Sequence, residues 1–578
     1  MTQASTLLPF GGRKQWRLRP LLPSTVRASL KSYHPLLAQL LHNRGISNQK
    51  LASAFLSQSP LSHDPFALPG MEAAVRRLQE ALQRRETIAI FGDFDVDGLS
   101  ATALLATALR PLGCEVIPYI PHRMEEGHGL SPQSVERLAS QGVRLLVTVD
   151  TGISSAGEVA LAAQAGVDTI ITDHHLPPEV LPPALAIVDP RLPESAYPFA
   201  ELTGAGLALK VAQALHSVTQ PQEDVTGALL SLASLGTIAD VAPLVDENRS
   251  IVRQGLDHLT RSPSPGLEAL VRWARLEGRT IDTEAVGWQL APRLNASGRM
   301  DSAEASYRLL TTQSRLEAET LAQTLEQQNR QRQETTEAAY QRAKSILELG
   351  PLLMVGDAEF SPGIIGLVAG RLAEEFARPA VVLNLGEPYS RGSCRSVPWF
   401  NIGEALHQVE RQVGGFVRYG GHAQAAGFTI ATERLPLLRQ SLGELAKTAA
   451  DQAFGVGQKD QAPSPWLDID MQLSLAAMPK DVYRQVHLLS PFGAGNPEPV
   501  FLSRGVQVVE ARPIGVNGRH LRLRVRDGGV TWNAVAFGQG NAFPQGATRL
   551  DIVYTVELDR FLPGQALQLH VQDMRGAG

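Results

Sequence analysis

From Ile90 the chain reads Ile90-Phe91-Gly92-Asp93-Phe94-Asp95-Val96-Asp97-Gly98, with a carboxylate at every second position from Asp93 to Asp97. Strand-like alternation would send Asp93, Asp95 and Asp97 to one side and Phe94 and Val96 to the other. Three carboxylates that close repel one another strongly unless a cation sits among them. Two further acidic positions follow short apolar runs: Asp150-Thr151-Gly152 after Leu145 to Val149, and Asp173-His174-His175 after Ile170 to Thr172. Taken singly, each Asp could be a helix N-cap, a common role after a strand. Three acidic strand ends with paired histidines in one series instead predict a metal site. Carboxylates mixed with imidazoles favour Mn²⁺, Mg²⁺ or Zn²⁺ over thiophilic ions, and a carboxylate shared between two positions would hold a metal pair.

The elements that must position these groups are legible around them. Met71 to Arg85 carries apolar residues at helical spacing (Val75, Leu78, Leu82), Thr87 to Phe91 is a buried-strand run, and Leu99 to Leu109 is helical again. Val143 to Val149 and Val167 to Thr172 repeat the strand pattern, each after a helical stretch closed by Gly142 or Gly166. Such a βαβ series predicts an open parallel sheet with helices on both faces, whose ligands gather at the carboxyl ends of the strands. No Gly or Pro interrupts the chain between Gly298 and Gly350. A break near Thr312, a capping box at Ser314/Glu317 and a connecting helix of about 35 residues running to Leu349, roughly 50 Å long, are expected there. A second α/β region follows (Leu352 to Val355, Ile364 to Phe376, Ala380 to Leu385), then a Gly/Pro/Ser/Gln-rich linker and, beyond Trp466, short alternating strands that suggest a small antiparallel barrel.

Composition bounds the class. A chain of 578 residues with 43% apolar content holds several globular domains. Two cysteines, Cys114 and Cys394, exclude a disulfide framework and a zinc ribbon and point to a reducing, cytoplasmic setting. No apolar run is long enough to span a membrane, and the N-terminus lacks an apolar signal core. Net charge is −5, yet the first acidic residue is Asp64, preceded by Arg13, Lys14, Arg17, Arg19, Arg27, Lys31, Arg44 and Lys50. That basic arm could lie along phosphates, be an organelle transit peptide, or be only a soluble extension.

The runs Asp93 to Gly98, Asp150-Thr151-Gly152, Asp173-His174-His175 and Leu235-Gly236-Thr237-Ile238-Ala239-Asp240 resemble the successive motifs of the DHH phosphoesterase superfamily, in form and spacing those of its RecJ branch of single-strand-specific DNA exonucleases. Smaller superfamily members begin with a His four residues before the first liganding Asp; here that position is Phe91, and the sequence supplies Asp93 instead, as in the RecJ form. The resemblance implies a two-metal Mn²⁺ or Mg²⁺ site with Asp95, Asp97, Asp150, His174 and Asp240 as ligands and His175 facing the scissile phosphate. Asp93 would be an outer or weak ligand, or would orient the attacking water.

Pro292 to Met300 reads as a Gly-punctuated loop presenting Asn295 and Arg299, and the similar segment of the family lies along the DNA backbone; Arg123, in the loop Pro121 to Gly129, is a further phosphate candidate. The second α/β region resembles the DHH-associated domain through Ser361 to Gly366, Arg391 to Ser396 and Gly420 to Phe428. That resemblance implies that Ser393 and Arg395 bind a terminal 5′-phosphate and that His422 lies near the strand end. Cys394 reads as packed filler, since no activating base is evident near it. His520 to Arg526 alternates basic and apolar residues, so a strand there would present Arg522 and Arg524 on one face, as in the RecJ OB-fold.

The expected organisation is a basic N-terminal extension (1–70), a DHH parallel-sheet catalytic domain (71–300), connecting helices (301–349), a DHH-associated α/β domain (350–455), a linker (456–465) and an OB-fold β-barrel (466–578). The expected function is a metal-dependent 5′ to 3′ exonuclease that releases mononucleotides from single-stranded DNA in recombination and repair. The strand would be threaded between the two α/β domains, with the barrel as a clamp at the entrance. A cytoplasmic monomer is expected; a single-strand binding protein and a RecQ-type helicase are partners implied by the family alone. Rival readings are an oligoribonuclease or cyclic-dinucleotide phosphodiesterase of the DHH group, which the C-terminal barrel argues against, and a catalytically silent replication scaffold, which the complete ligand set argues against.

Overall fold

In the computed structural model, which describes residues 6–7, 14–57, 61–123, 125–219, 225–454, 466–559 and 566–577, the short apolar runs become a five-stranded parallel sheet. Its order is Glu115–Tyr119, Thr87–Phe91, Leu145–Val149, Asp168–Thr172, Ala186–Val188. Alternation along the strands feeds two cores, as a sheet covered on both faces requires. Ile88, Ile90, Val147 and Ile170 face the helices Met71–Arg84, Val96–Leu109 and Gly204–Thr219, whereas Ala89, Phe91, Leu146 and Ile171 face the other side, where Val135 and Val159 of the helices Pro132–Ser140 and Ala156–Gln164 close over them.

The connecting helix runs Arg315–Ile346, about 48 Å at 1.5 Å per residue, and Ser314 Oγ accepts the Glu317 N–H as its cap. Its C-terminal residues Ala339, Tyr340 and Ala343 pack into the second α/β domain, a mixed sheet of order Phe416–Gly421, Ala425–Ala431, Tyr389–Arg395, Ala380–Asn384, Leu353–Asp357. Residues 61–463 form one compact unit. No helix among the described residues is long and apolar enough to cross a membrane. The expected linker 456–465 lies outside the described residues.

The second unit joins residues 1–60 to 464–578. Five long strands, Phe501–Ile514, His520–Asp527, Val530–Ala536, Leu567–Gly576 and Arg549–Leu558, close into a barrel through pairing of the first with the last. The N-terminal segment departs from the expected extension. Gln15–Leu18 pairs in parallel with Trp466–Ile469, and Leu36, Leu37, Leu40 and Leu41 of the helix Pro35–Asn43 enter the barrel's core cluster. Several of the basic side chains are engaged within the fold: Arg17 grips Asp468 at 2.5 and 2.8 Å, and Arg44 donates to Asn496 Oδ1 at 2.8 Å. An amphipathic helix must bury its apolar stripe somewhere, and the barrel supplies the surface.

Trp16 fastens this arrangement. It is 2% exposed, its Nε1 donates to Asp573 Oδ2 at 2.8 Å, and the Arg575 guanidinium lies 3.7 Å over its ring. Trp16→Ala should destabilise this unit by about 3–5 kcal/mol. Calorimetry would check this: the transition of the barrel unit should fall in temperature while that of the catalytic unit stays in place.

Candidate active site

The carboxylates converge, though not by alternation along a strand. The strand ends at Phe91, the chain turns through Asp93 and Phe94, and Asp97 lies in the first turn of the helix Val96–Leu109. Asp95 caps that helix, its Oδ1 accepting the Gly98 N–H at 3.0 Å, so the capping role and a place in the cluster coexist in one side chain. Asp97 is buried and receives the Gly204 and Ala205 N–H groups at 2.7 and 2.9 Å. Those amides open the helix Gly204–Thr219, whose positive end suits a carboxylate. Asp150 follows its strand at φ 61°, a conformation that residues with a Cβ rarely adopt and that functional sites retain. A Cβ on Gly204 would come 2.4 Å from the Asp150 Cβ, so only glycine lets the two elements meet there.

Donor atoms of three overlapping trios lie within 4.8 Å of one another: Asp93, Asp95 and Asp150; Asp97, His174 and Asp240; Asp150, His174 and His175. Asp150 and His174 each serve two trios, and His174 Nε2 is 3.0 Å from Asp150 Oδ1 and 3.9 Å from Asp97 Oδ2. One trio is all carboxylate, one has a single imidazole and one has two, and such mixed oxygen and nitrogen sets fit hard or borderline divalent ions. The electrostatics describe the same need for a cation. Burial, then Asp93 and Asp97, pushes the Asp95 carboxyl up to about 6. Burial, with Asp97, Asp95 and Asp93 around it, raises Asp150 well above the usual carboxylate range. Asp240 stands exposed to solvent at the end of the helix Thr226–Ala239, and its carboxyl is raised to about 7 by partial loss of hydration and by Asp97 and Asp95.

Asp173 organises the histidines, a role that its place beside them in the sequence does not by itself reveal. It is 1% exposed. Its Oδ1 accepts the backbone N–H groups of His174 and His175 at 2.8 and 3.1 Å and meets His175 Nδ1 at 2.7 Å, while Oδ2 accepts the Ile153 N–H at 3.0 Å. Burial alone would raise this carboxyl, but the His175 hydrogen bond and the backbone donors hold it below its usual value. The same hydrogen bond raises His175 to about 9, which favours the protonated ring and takes His175 out of the ligand set, leaving Asp150 and His174 as the donors of that trio. Burial has the opposite effect on His174 and lowers it, as a neutral ligand requires.

The segment expected as a loop around Asn295 and Arg299 is the helix Ala291–Met300, preceded by a π-helical turn at Val286–Leu290. Pro292 is tolerated in a first helical turn, and Gly298 lies inside the helix because a Cβ there would come 3.1 Å from the Phe94 carbonyl. Asn295 and Arg299, four residues apart, therefore share a face. Arg299 Nη1 donates to the Gly363 carbonyl at 3.2 Å and its buried Nε has no partner. Burial, followed by the like charges of Arg123, Arg332 and Arg395, lowers it to about 9. Arg123 lies over Phe94, its Cζ 4.8 Å from the ring centroid. Arg395 donates from Nη1 to the Cys394 carbonyl at 2.8 Å, with Ser393 Oγ at 3.5 Å from the same nitrogen.

None of these four arginines forms an ion pair among the described residues, and Arg123 and Arg299 both feel the Asp95 carboxylate, so cationic charge stands beside the acidic cluster. Arg332, from the long helix, carried no signal in the sequence. Ser393 and Arg395 approach Gly366 in the first turn of the helix Ile365–Phe376, to 3.0 and 3.3 Å of a Cβ placed there. His422 is exposed in the turn before Ala425–Ala431. Cys394 is buried, and burial raises its thiol to about 12, in keeping with packing rather than reactivity. In the other unit Leu521, Leu523 and Val525 point inward and Arg522 and Arg524 do not, as the alternation predicts.

The sequence matches three family models: the N-terminal domain of the DHH family over residues 87–237, the DHHA1 domain over 348–448 and the RecJ OB domain over 469–573. It is 34% identical over 577 residues to the single-stranded-DNA-specific exonuclease RecJ of Bacillus subtilis, covering 98% of this chain and 71% of that protein. To the enzyme of the same name in Escherichia coli it is 32% identical over 566 residues, covering 93% and 96%. The crystal structure of RecJ in complex with Mn²⁺ from Thermus thermophilus matches with a TM-score of 0.80 at 31% identity, over 97% of this chain and 80% of that one. The Mg²⁺ complex of RecJ from that organism matches with a TM-score of 0.75 at 29% identity, over 97% and 78%.

Proposed function

The chain belongs to the RecJ family, and from that premise we propose that it removes mononucleotides from the 5′ end of single-stranded DNA by metal-dependent hydrolysis, in recombination and repair. The observation that carries the reading is the set of three overlapping donor trios sharing Asp150 and His174. Asp95, Asp97, Asp150, His174 and Asp240 would hold the ions, Mn²⁺ or Mg²⁺. When bound, such ions supply the charge that makes water a nucleophile at neutral pH and offsets charge on the phosphoryl oxygens.

The chain's own groups do the rest. His175, kept protonated by Asp173, holds an N–H for the scissile phosphate as negative charge builds on it. Arg123, Asn295 and Arg299 take backbone phosphates. Ser393 and Arg395, backed by the helix starting at Ile365, receive the 5′-phosphate, and that anchor sets polarity by fixing which phosphodiester lies over the metals. His422 belongs near the strand end, and Arg522 and Arg524 offer the barrel's basic face to the incoming strand. A cytoplasmic monomer working beside a single-strand binding protein and a RecQ-type helicase completes the reading on family membership.

Digestion of 5′-labelled and 3′-labelled single strands and of a blunt duplex with Mn²⁺ tests it, with Asp150→Ala as the inactive control. Labelled mononucleotide should appear early from 5′ ends only. Arg395→Ala should lower kcat/KM on 5′-phosphorylated ends by about 10- to 100-fold and narrow the difference from 5′-hydroxyl ends. Release from 3′ ends, or equal attack on duplex, would sink the proposal.

A further inference from the structure

Asp93 has a partner that the metal chemistry leaves unused. His128 Nδ1 lies 2.9 Å from Asp93 Oδ2, while Asp93 Oδ1 accepts the Phe94 N–H at 2.9 Å. The His128 side chain is 63% exposed and the Asp93 side chain 10%, so the imidazole roofs a carboxylate that the fold otherwise buries. The ring is held in place from two directions. It packs on Phe94 with centroids 4.3 Å apart, and Phe94 also carries the Arg123 guanidinium. Its backbone carbonyl accepts a hydrogen bond from Arg418 Nη2 of the second α/β domain at 3.2 Å. Upstream in the same loop, Glu126 accepts the Tyr119 hydroxyl and the His122 N–H, both at 2.7 Å. A loop braced at this many points puts one N–H donor on Asp93.

We propose that His128 is a positioning residue for the metal centre: its Nδ1–H fixes the Asp93 carboxylate so that this group completes the donor trio with Asp95 and Asp150. With Nδ1–H and the Phe94 N–H each taken by one oxygen, the orientation of the carboxylate is set, and one of its oxygens lies within 4.8 Å of donor atoms of Asp95 and Asp150. Outer partners of this kind orient carboxylate ligands, and their loss typically costs about 10- to 100-fold in metal affinity. The inference rests on the metal reading of the site and deepens it, since neither the ring nor its loop belongs to the trios themselves.

Mn²⁺ titration of the EDTA-stripped full chain by calorimetry reads the effect without recourse to nuclease activity. His128→Phe keeps an aromatic ring on Phe94 and removes the donor; it should weaken one of the Mn²⁺ binding steps by about 10- to 100-fold. His128→Asn, which can place an N–H near the same point, should return to within about threefold of wild type. Circular dichroism melts of both variants check that the fold is kept. Wild-type affinity in His128→Phe, or equal loss in His128→Asn and His128→Phe, overturns the positioning role alone. A wild-type chain whose Mn²⁺ binding is no tighter than that of Asp150→Ala overturns the metal reading and this inference with it.

Discussion

Asp150→Asn should abolish cleavage of single-stranded DNA and at the same time raise the melting temperature of the metal-free protein. The loss follows from geometry: Asp150 belongs to two donor trios and lies 3.0 Å from His174, so an amide there weakens both ion positions together. A fall of at least about 1,000-fold in kcat/KM is expected, about 4 kcal/mol of transition-state stabilisation. The gain follows from charge. The Asp150 carboxylate is buried and faces Asp97, Asp95 and Asp93, and its raised pKa says that the ionised form is disfavoured in the fold without a cation. Asparagine removes the charge, keeps the shape against Gly204, and is among the residues most tolerant of the φ of 61° at this position. A stabilisation on the order of 1 kcal/mol in EDTA is in the range that relieving a functional site provides. Gel assays of labelled strands and thermal melts in EDTA check the two halves. A lower melting temperature in the variant would mean that the contact with His174 outweighs the repulsion.

Much of this site could be read from the chain because its chemistry is local. The buried-strand runs needed no tertiary knowledge, and parallel strands ending in Asp150 and Asp173 must bring those residues to one edge of the sheet. What could not be read depends on partners distant in sequence. The basic arm before Asp64 looked free because its acidic and apolar partners lie more than 400 residues away, Arg17 on Asp468 and the leucines of the helix Pro35–Asn43 on the barrel. Alternation was the wrong geometry for Asp93, Asp95 and Asp97, since the strand gives way to a turn and a helix before the last of them; they still converge, because a capping Asp and a first-turn Asp both point back towards the strand end. Gly298 suggested a loop around Arg299, but its role is close approach of a helix to Phe94. His128 and Arg332 are illegible in the sequence, because a single histidine or arginine outside a motif carries no signal until its neighbours are known.

Mn²⁺ should stabilise the protein far more at pH 7.5 than at pH 5.5, against a metal-free stability that moves the other way. Asp95 and Asp240 sit at about 6 and about 7 in the fold, and Asp150 is raised further, whereas an unfolded chain releases these protons near pH 4. Between pH 4 and 7 the folded form therefore holds more protons than the unfolded form, and stability falls as pH rises. His175 acts in the same sense at higher pH: raised to about 9 by Asp173, it contributes stability present below about pH 6.5 and lost as pH climbs through 9. Asp173 opposes them only in acid, because its lowered pKa contributes stability that is lost as pH falls below the usual carboxylate range. Metal ions compete with the same protons, so the ligands are open to Mn²⁺ at pH 7.5 and partly closed at pH 5.5. At a free Mn²⁺ concentration a hundredfold above Kd the gain should be about 2.7 kcal/mol, and at the lower pH the same Mn²⁺ concentration should give less than half of it. Thermal melts in EDTA and in Mn²⁺ at the two pH values measure both trends. An equal gain at the two pH values, or a metal-free protein that melts higher at pH 7.5 than at pH 5.5, would show that the carboxylate cluster is not held short of a cation. Asp150→Asn in the same experiment should lose most of the Mn²⁺ gain while flattening the metal-free dependence on pH, which ties both trends to one buried charge.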